Sequence, residues 1–363
     1  MMSRILILVA LGTGLACTKA AGPMPSATNT SAPAPSVAHT PSVADATWKS
    51  SAADYLDQRV GSWLADPPSV ANVKCAMSCH TAFPAVLAHA SLPSDRTPNI
   101  TEARARFEAR LPSADASATP FYGRDNNAKV QESHATEAVL AATAFVLDDL
   151  ARGEQIGDPA KEALERMWSR QAPDGAWPWL DFGLEPWEHQ DAFGVAMAAL
   201  AVGRLPDDTT PGQTEGVNKL RAYVQTHIES VPLHDQTALL WSSSALEGLL
   251  SASQAEEVAA KLQETQRRDG SFAIGRLMAG HARTSLKGDG YATALATLAL
   301  CTTGLQPEAA EDGLAWLRSH QQADGSWRGQ SLNGPGRTAQ RYMTDASTGY
   351  AVLALSSCGE ASP

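Results

Sequence analysis

Two kinds of apolar segment alternate along the chain from about residue 134 onward. Stretches near 160–170, 215–229, 255–266 and 309–320 are striped: Val217, Leu220, Val224 and Ile228 recur at helical spacing, with charged residues on the opposite face. Between them run segments that are apolar or small on every side. AFGVAMAALAVG follows Asp191, QTALLWSSSALEGLL follows Asp235, GYATALATLALC follows Asp289 and ASTGYAVLALSS follows Asp345; a fifth, ATEAVLAATAFVLDDLA, follows His134. Clear period-two alternation is absent, so strands are not expected. A striped helix buries one face and an all-apolar helix is buried all round. Ala, Gly, Ser and Thr in the apolar runs let helices approach closely. Both demands are met by a ring of about five helical hairpins, with striped helices outside and apolar helices inside.

The joints between the two kinds of segment repeat. QAPDGAW (171–177), QRRDGSF (266–272) and QQADGSW (321–327) each read Gln-x-x-Asp-Gly-x-aromatic, and each has an apolar residue four positions before the Gln: Met167, Leu262 and Leu317. A Gln amide can satisfy free backbone groups at a helix end, Gly allows positive φ in the turn, and the ring packs over the hairpin. This element resembles the QW motif of the squalene–hopene cyclase and prenyltransferase repeat family. Gln171, Gly175 and Trp177 match it, as do Gln321, Gly325 and Trp327; Gln266 and Gly270 match with Phe272 in place of the Trp. The resemblance covers about residues 134–357 and implies an all-α fold, an α/α toroid of repeated hairpins.

The chemistry of that family is missing. There is no D-x-D-D acid: Asp148-Asp149 and Asp207-Asp208 lack the leading Asp. Aromatic residues make up only 6%, few for steadying carbocations. No D-x-C with a downstream His suggests a zinc site, and the thioester sequence G-C-G-E-Q of related toroids is absent. The remaining candidates are polar residues where the inner helices should begin: His134, Glu137, Glu188, Asp191, Asp235, Asp289 and Asp345. As a functional set they would form an acidic rim, with Glu137, Glu188 and Asp191 as catalytic groups and His134, Trp187 and Asp289 as ligand contacts. The alternative is helix capping, worth about 1 kcal/mol per residue, and it is the expectation for Asp235, Asp289 and Asp345. The stretch LEPWEHQD (184–191) is the richest, placing Glu185, Trp187, Glu188, His189 and Asp191 together.

The N-terminus changes the setting. Arg4, the apolar run Ile5 to Leu11 and the small residues up to Cys17 read as an export signal over 1–16, too short to span a bilayer. Gly14-Leu15-Ala16-Cys17 resembles a lipobox, which implies acylation of Cys17 and localisation as a lipoprotein of the periplasm or outer membrane; an ordinary secretory signal is the alternative. Residues 17–47 are rich in Pro, Ala, Ser and Thr and read as a disordered tether. Residues 48–133 read as a first outer helix plus an inserted segment, and 134–358 as the toroid repeats. Net charge is −11 with no basic stripe, which argues against nucleic acid as a partner.

The inserted segment holds KCAMSCHT (74–81). Cys75-x-x-x-Cys79-His80 resembles a c-type haem attachment site, in which two thiols bind the porphyrin and the adjacent His ligates iron. Exported squalene-cyclase-like repeat proteins carry a similar Cys-x-x-Cys-His-Thr segment ahead of their repeats; here one extra residue separates the cysteines. A Cys75–Cys79 disulfide and a copper or zinc site are the alternatives. His89, His134 or Met77 could fill a sixth iron position. Cys301 and Cys358, in apolar stretches, read as buried thiols. Together these observations lead us to expect an exported toroid with haem c. It would bind an apolar, isoprenoid-like molecule and assist a redox step with an electron-transfer partner. A non-redox cyclase or isomerase, and a scaffold module with a disulfide, are the rivals.

Overall fold

A computed structural model describes residues 43–65, 77–113, 127–153, 155–278, 286–334 and 336–359. The predicted signal 1–16, Cys17, nearly all of the predicted tether 17–47, and Cys75 lie outside the described residues. In chain order the α-helices are α1 (Val43–Leu64), α2 (Ala82–Ala88), α3 (Pro98–Arg110), α4 (Asn127–Ala151), α5 (Asp158–Ser169), α6 (Ala192–Val202), α7 (Gln213–His227), α8 (Leu233–Ser243), α9 (Ala252–Thr265), α10 (Ile274–Leu277), α11 (Gly290–Thr303), α12 (Pro307–Ser319) and α13 (Arg337–Cys358). No strand occurs among the described residues; an isolated bridge joins Leu184 to Glu188.

The all-apolar segments form a closed inner ring. α2 packs on α4, α4 on α6, α6 on α8, α8 on α11, α11 on α13, and α13 returns to α2. Every residue of α2 and α6 is buried, as is α11 from Gly290 to Leu300. The striped helices lie outside: α5 on α4, α7 on α6, α9 on α8, and α12 on α11 and α13. Their buried residues follow the predicted stripe, as with Val217, Leu220 and Val224 in α7. Removing a Leu or Val side chain from water contributes about 1.5–3 kcal/mol, so the pattern itself drives closure. The protein is an all-α, α/α toroid.

The three Gln-Gly-aromatic joints are stitched in the same way. Gln171 Nε2 donates to Gly175 O (3.0 Å) and to Gly216 O of α7 (2.9 Å). Gln266 Nε2 donates to Gly270 O (3.0 Å) and to Ala309 O of α12 (2.8 Å). Gln321 Nε2 donates to Gly325 O (3.0 Å) and to Trp48 O of α1 (2.9 Å). Each Gln thus ties its outer helix to the next one round, and Gln321 joins the last to the first. The glycines have φ of +100°, +84° and +87°. A Cβ on any of them would collide with a carbonyl oxygen of that next helix, at Lys219, Asp312 and Ser51 respectively. Trp177 and Trp327 each give an indole N–H to the carbonyl of the apolar residue four before the Gln, Met167 or Leu317, at 2.7 Å.

Four expectations are corrected. The ring has six inner helices rather than five, because Ala82–Ala88 is an inner helix too short to register as an apolar run. Residues 48–133 therefore hold a complete hairpin, α1 with α2, followed by α3, an outer helix. The boundary at 133/134 falls inside α4, and His134 lies seven residues into that helix rather than at its start. α1 begins at Val43, two residues after the last proline of the tether, so the helix claims residues 43–47. Finally, Cys301 and Cys358 are joined in a disulfide across the C-terminal ends of α11 and α13, with Cα atoms 6.1 Å apart, within the span a disulfide bridges.

Candidate functional site at the mouth of the ring

Outer helices run toward the rim on which the inner helices begin, so the loops that join them collect there. Large side chains from the inner helices meet in the middle. Trp241 of α8 stands edge-on to Tyr350 of α13 (6.1 Å), although α11 lies between those helices in the ring. Tyr291 of α11 meets Tyr350 at 5.2 Å, and Phe193 of α6 stacks near His234 of α8 at 5.7 Å. The centre is filled with aromatic rings, all buried.

The loop before α6 crosses the mouth. Leu184 and Glu188 exchange backbone hydrogen bonds at 2.9 and 3.0 Å, which makes residues 184–188 a tight hairpin; the Glu185–Pro186 peptide is cis. Asn333, in the loop before α13 on the opposite side of the ring, donates to Glu185 O at 2.6 Å. The hairpin drives Trp187 into the mouth. Its indole N–H donates to Tyr291 Oη (2.8 Å), its ring is edge-on to Tyr291 (5.1 Å), and His80 lies beside it at 6.3 Å.

His80 reaches this point because Cys79 and His80 directly precede α2. Ser78 takes a left-handed backbone (φ 46°), and its carbonyl accepts Thr81 N–H (3.2 Å) and Phe83 N–H (3.1 Å). Thr81 Oγ1 donates to Asp345 Oδ2 (2.8 Å), and Asp345 also takes Tyr55 Oη (2.8 Å) and a fork from Arg59 (2.8 and 3.0 Å). α1, α13 and the Cys79–His80 turn are thereby fixed together. His80 stacks on Tyr342 at 4.1 Å, and its Nδ1 meets Ser78 Oγ at 3.3 Å. Burial, helped by the Arg59 charge, pushes the imidazole down to about 4, so it is neutral at physiological pH. Cys79 is buried close to Tyr350.

A chain of polar groups leads from Tyr291 to the surface. His234 Nε2 lies 2.8 Å from Tyr291 Oη, and its Nδ1 lies 2.8 Å from Asp235 Oδ1. Asp235 Oδ2 faces His189 Nε2 at 3.7 Å. His189 lines a cleft of 580 Å³ that Asp191, Tyr223 and His227 share.

The predicted residues divide accordingly. Trp187 and His80 come together, with Cys79 beside them. Glu188 sits on the crossing hairpin, and burial pushes its carboxyl up to about 7. Asp191 stands at the cleft, accepting from the Tyr223 hydroxyl instead of capping α6. Glu137 is not at the mouth: Arg110 of α3 grips it in a fork (2.7 and 3.0 Å) and Arg166 of α5 approaches at 3.8 Å. His134 meets the same outer belt, its carbonyl accepting from Arg166 (3.4 Å). Asp289 caps α11, taking Ala292 N–H (3.0 Å) and Ile274 N–H (2.8 Å), so its carboxylate serves backbone rather than ligand. Capping does not hold for the other two: Asp235 is inside α8 and Asp345 is mid-α13. The sequence pattern did not single out His234, Tyr291 and Tyr350. The signal was present, because each is a bulky ring among small residues on an inner helix.

No protein-family model matches the chain, and no curated protein sequence does. Solved structures do resemble it. A type II terpene cyclase, MstE from Scytonema, superposes with a TM-score of 0.53 at 14% identity, covering 85% of this chain and 97% of that one. Unsaturated glucuronyl hydrolase from Bacillus sp. GL1 gives a TM-score of 0.50 at 13% identity, covering 85% and 96%. One is a terpene cyclase and the other serves glycosaminoglycan degradation, so the likeness identifies the α/α toroid scaffold rather than a reaction.

Proposed function

We propose that this protein is an exported, lipid-anchored toroid that binds an apolar, isoprenoid-like molecule at the mouth of its ring and assists a redox step through a haem attached at Cys75 and Cys79. The observation that carries this reading is the mouth itself, where a neutral, half-buried histidine meets a cluster of buried aromatic rings under a crossing hairpin. Mostly apolar, aromatic surroundings with a few placed polar groups are the usual lining of small-molecule sites.

The residues present suit haem on the histidine side. A ligating imidazole must be neutral, and its second nitrogen is normally held by a partner. His80 is neutral and its Nδ1 faces Ser78 Oγ, which leaves Nε2 for iron. Cys75 and Cys79 would carry the thioethers, and the bound group would supply one-electron chemistry. The rest belongs to the chain. Arg59, Asp345 and Thr81 hold the turn rigid, Tyr342 fixes the imidazole plane, and Trp187 excludes water. The Cys301–Cys358 disulfide supports export, because disulfides persist in oxidising compartments. Cys17 is the proposed anchor.

Expression in a host with periplasmic haem-attachment machinery tests the reading. The expected result is a Soret band that survives acid–acetone extraction and disappears in His80→Ala or Cys79→Ser. Absence of covalent porphyrin overturns the haem assignment.

Glu188 favours a second reading. A carboxyl pushed up to about 7 keeps its proton about half the time near neutrality, which suits a general acid. A non-redox cyclase or isomerase would use it in place of D-x-D-D. Turnover of a squalene-like substrate that is lost in Glu188→Gln would support this alternative.

A further inference from the structure

The indole of Trp187 sits in the mouth as a ligand would. It comes from a loop rather than an inner helix, it is 5% exposed, and its one polar atom makes one hydrogen bond, to Tyr291 Oη at 2.8 Å. The polarity of that contact can be worked out. A carboxylate only accepts, so Asp235 Oδ1 fixes the proton of His234 on Nδ1 and leaves Nε2 as an acceptor. Tyr291 therefore donates its own proton to His234 Nε2 and presents only lone pairs to the mouth. Trp187 satisfies them with its N–H. A second group in this cluster of rings is unsatisfied: the Tyr350 hydroxyl is buried without a hydrogen-bond partner among the described residues, on a ring 5.2 Å from that of Tyr291.

A site with this polarity selects a flat apolar group bearing a donor. A hydroxyl on an aromatic ring is such a group, and it can also accept from Tyr350. We infer that the mouth binds a phenol-headed apolar molecule, whose ring takes the place of the Trp187 indole and whose hydroxyl donates to Tyr291. This deepens the proposed binding of an apolar ligand and rests on that reading; it does not require the haem. His234 and Asp235 are positioning residues, since they set which way the Tyr291 hydroxyl points. The crossing hairpin moves aside to admit the ring. One of its side chains, Leu184, is already 44% exposed, and Asn333 and Trp179 hold it by the backbone carbonyls of Glu185 and Trp187.

A matched series of probes tests the inference on the full chain. 4-Nonylphenol, 4-nonylanisole and nonylbenzene share one tail and differ in donating, only accepting, or doing neither. Titration calorimetry should show the phenol binding about tenfold more tightly than the hydrocarbon, with the anisole between them, the scale of one net hydrogen bond. Tyr291→Phe should bring the phenol down to the level of the anisole. Trp187→Phe keeps a ring at the mouth but removes the N–H bond that every probe must break, so it should bind all three more tightly than wild type and keep the phenol's lead over the hydrocarbon. Should Tyr291→Phe fail to fold by circular dichroism, the probe series and Trp187→Phe still decide the matter. Equal affinity for phenol and hydrocarbon overturns the inference and leaves the apolar-ligand reading standing. Failure of all three probes to bind overturns both.

Discussion

Two corners of the ring occupy the same rim and solve the same problem differently. At Gln321–Trp327 the chain turns through a glycine, and the Gln amide and the Trp indole both bond to backbone carbonyls. At Met77–Thr81 it turns through Ser78, a residue with a Cβ held in a left-handed conformation, and the turn is fixed by side chains from other helices. Backbone stitches tolerate sequence change around them. They also recur in register, which is why three copies are visible in the sequence. The second corner depends on Arg59, Tyr55 and Asp345, none adjacent in sequence, and it holds an imidazole in position. Strained backbone held in place by its surroundings is characteristic of functional sites. The repeat is regular where it only closes the ring and departs where chemistry is proposed.

The largest effect is expected at the second corner. Asp345 is fully buried, and Arg59 is its charge partner. Removing one member of a buried pair strands the other and costs about 3–5 kcal/mol. Arg59→Met should therefore lower the unfolding free energy by about that amount in urea, and Asp345→Asn by less, since Arg59 is 15% exposed and can reach water. If Arg59→Met costs less than about 1 kcal/mol, the level of an exposed pair, the side-chain corner is not what fixes His80.

At the stitched corner the test is Gly325→Ala. Two glycines share the left-handed backbone but differ in surroundings. Gly304 has φ +70° and nothing within 4 Å of an added methyl, whereas at Gly325 the methyl would strike Ser51 O. Gly304→Ala should cost about 1 kcal/mol, the penalty of the conformation alone. Gly325→Ala should cost about 3 kcal/mol, because α12 must also separate from α1. Thermal denaturation of the pair measures the close approach by difference, and equal losses would show that the backbone contact contributes nothing. Phe272 shows how little the indole adds by comparison. Met167 O and Leu317 O already accept backbone N–H bonds from Arg170 and His320, so a ring without N–H leaves no carbonyl stranded.

The same contrast explains what the sequence revealed. The helical hairpins were legible because burial on one face or on all faces leaves a periodic trace, and the joints because one local geometry demands Gln, Gly and an aromatic residue at fixed spacing. The rim was legible as a place, since every loop of one kind must lie there. What sits at the rim was only partly so. Residue type and position point to Trp187 and His80, but they also point Glu137 to the mouth, whereas Arg110 and Arg166 draw it to the outer belt. Contacts between helices far apart in sequence leave no spacing to read. For the same reason Cys301 and Cys358, 57 residues apart, look like two separate thiols. The sixth inner helix escapes notice because seven residues carry too little periodicity to stand out.

The smallest expected effect probes the mouth by pH, where two neighbouring loops should act in opposite senses. His80 is held near 4, below its ordinary 6.5, by burial and by Arg59. Between those values the unfolded chain takes up a proton that the folded chain refuses, so this group makes stability fall as pH drops from 6.5 to 4. Glu188 is held near 7, above its ordinary 4.5, by burial. Between those values the folded chain keeps a proton that the unfolded chain has lost, so this group makes stability fall as pH rises from 4.5 to 7. Each shift amounts to about 2 kcal/mol once the partial exposure of both groups is allowed for, and the two trends oppose each other in the wild type. Single substitutions should separate them. Glu188→Gln removes the carboxyl contribution, so the urea-unfolding profile should gain, relative to wild type, an upward slope worth about 2 kcal/mol from pH 4.5 to 7. His80→Phe removes the histidine contribution, and the profile should tilt the opposite way relative to wild type. Variants that both keep the wild-type pH profile would mean that neither group is shielded from water, and that the hairpin carrying Trp187 does not close the mouth.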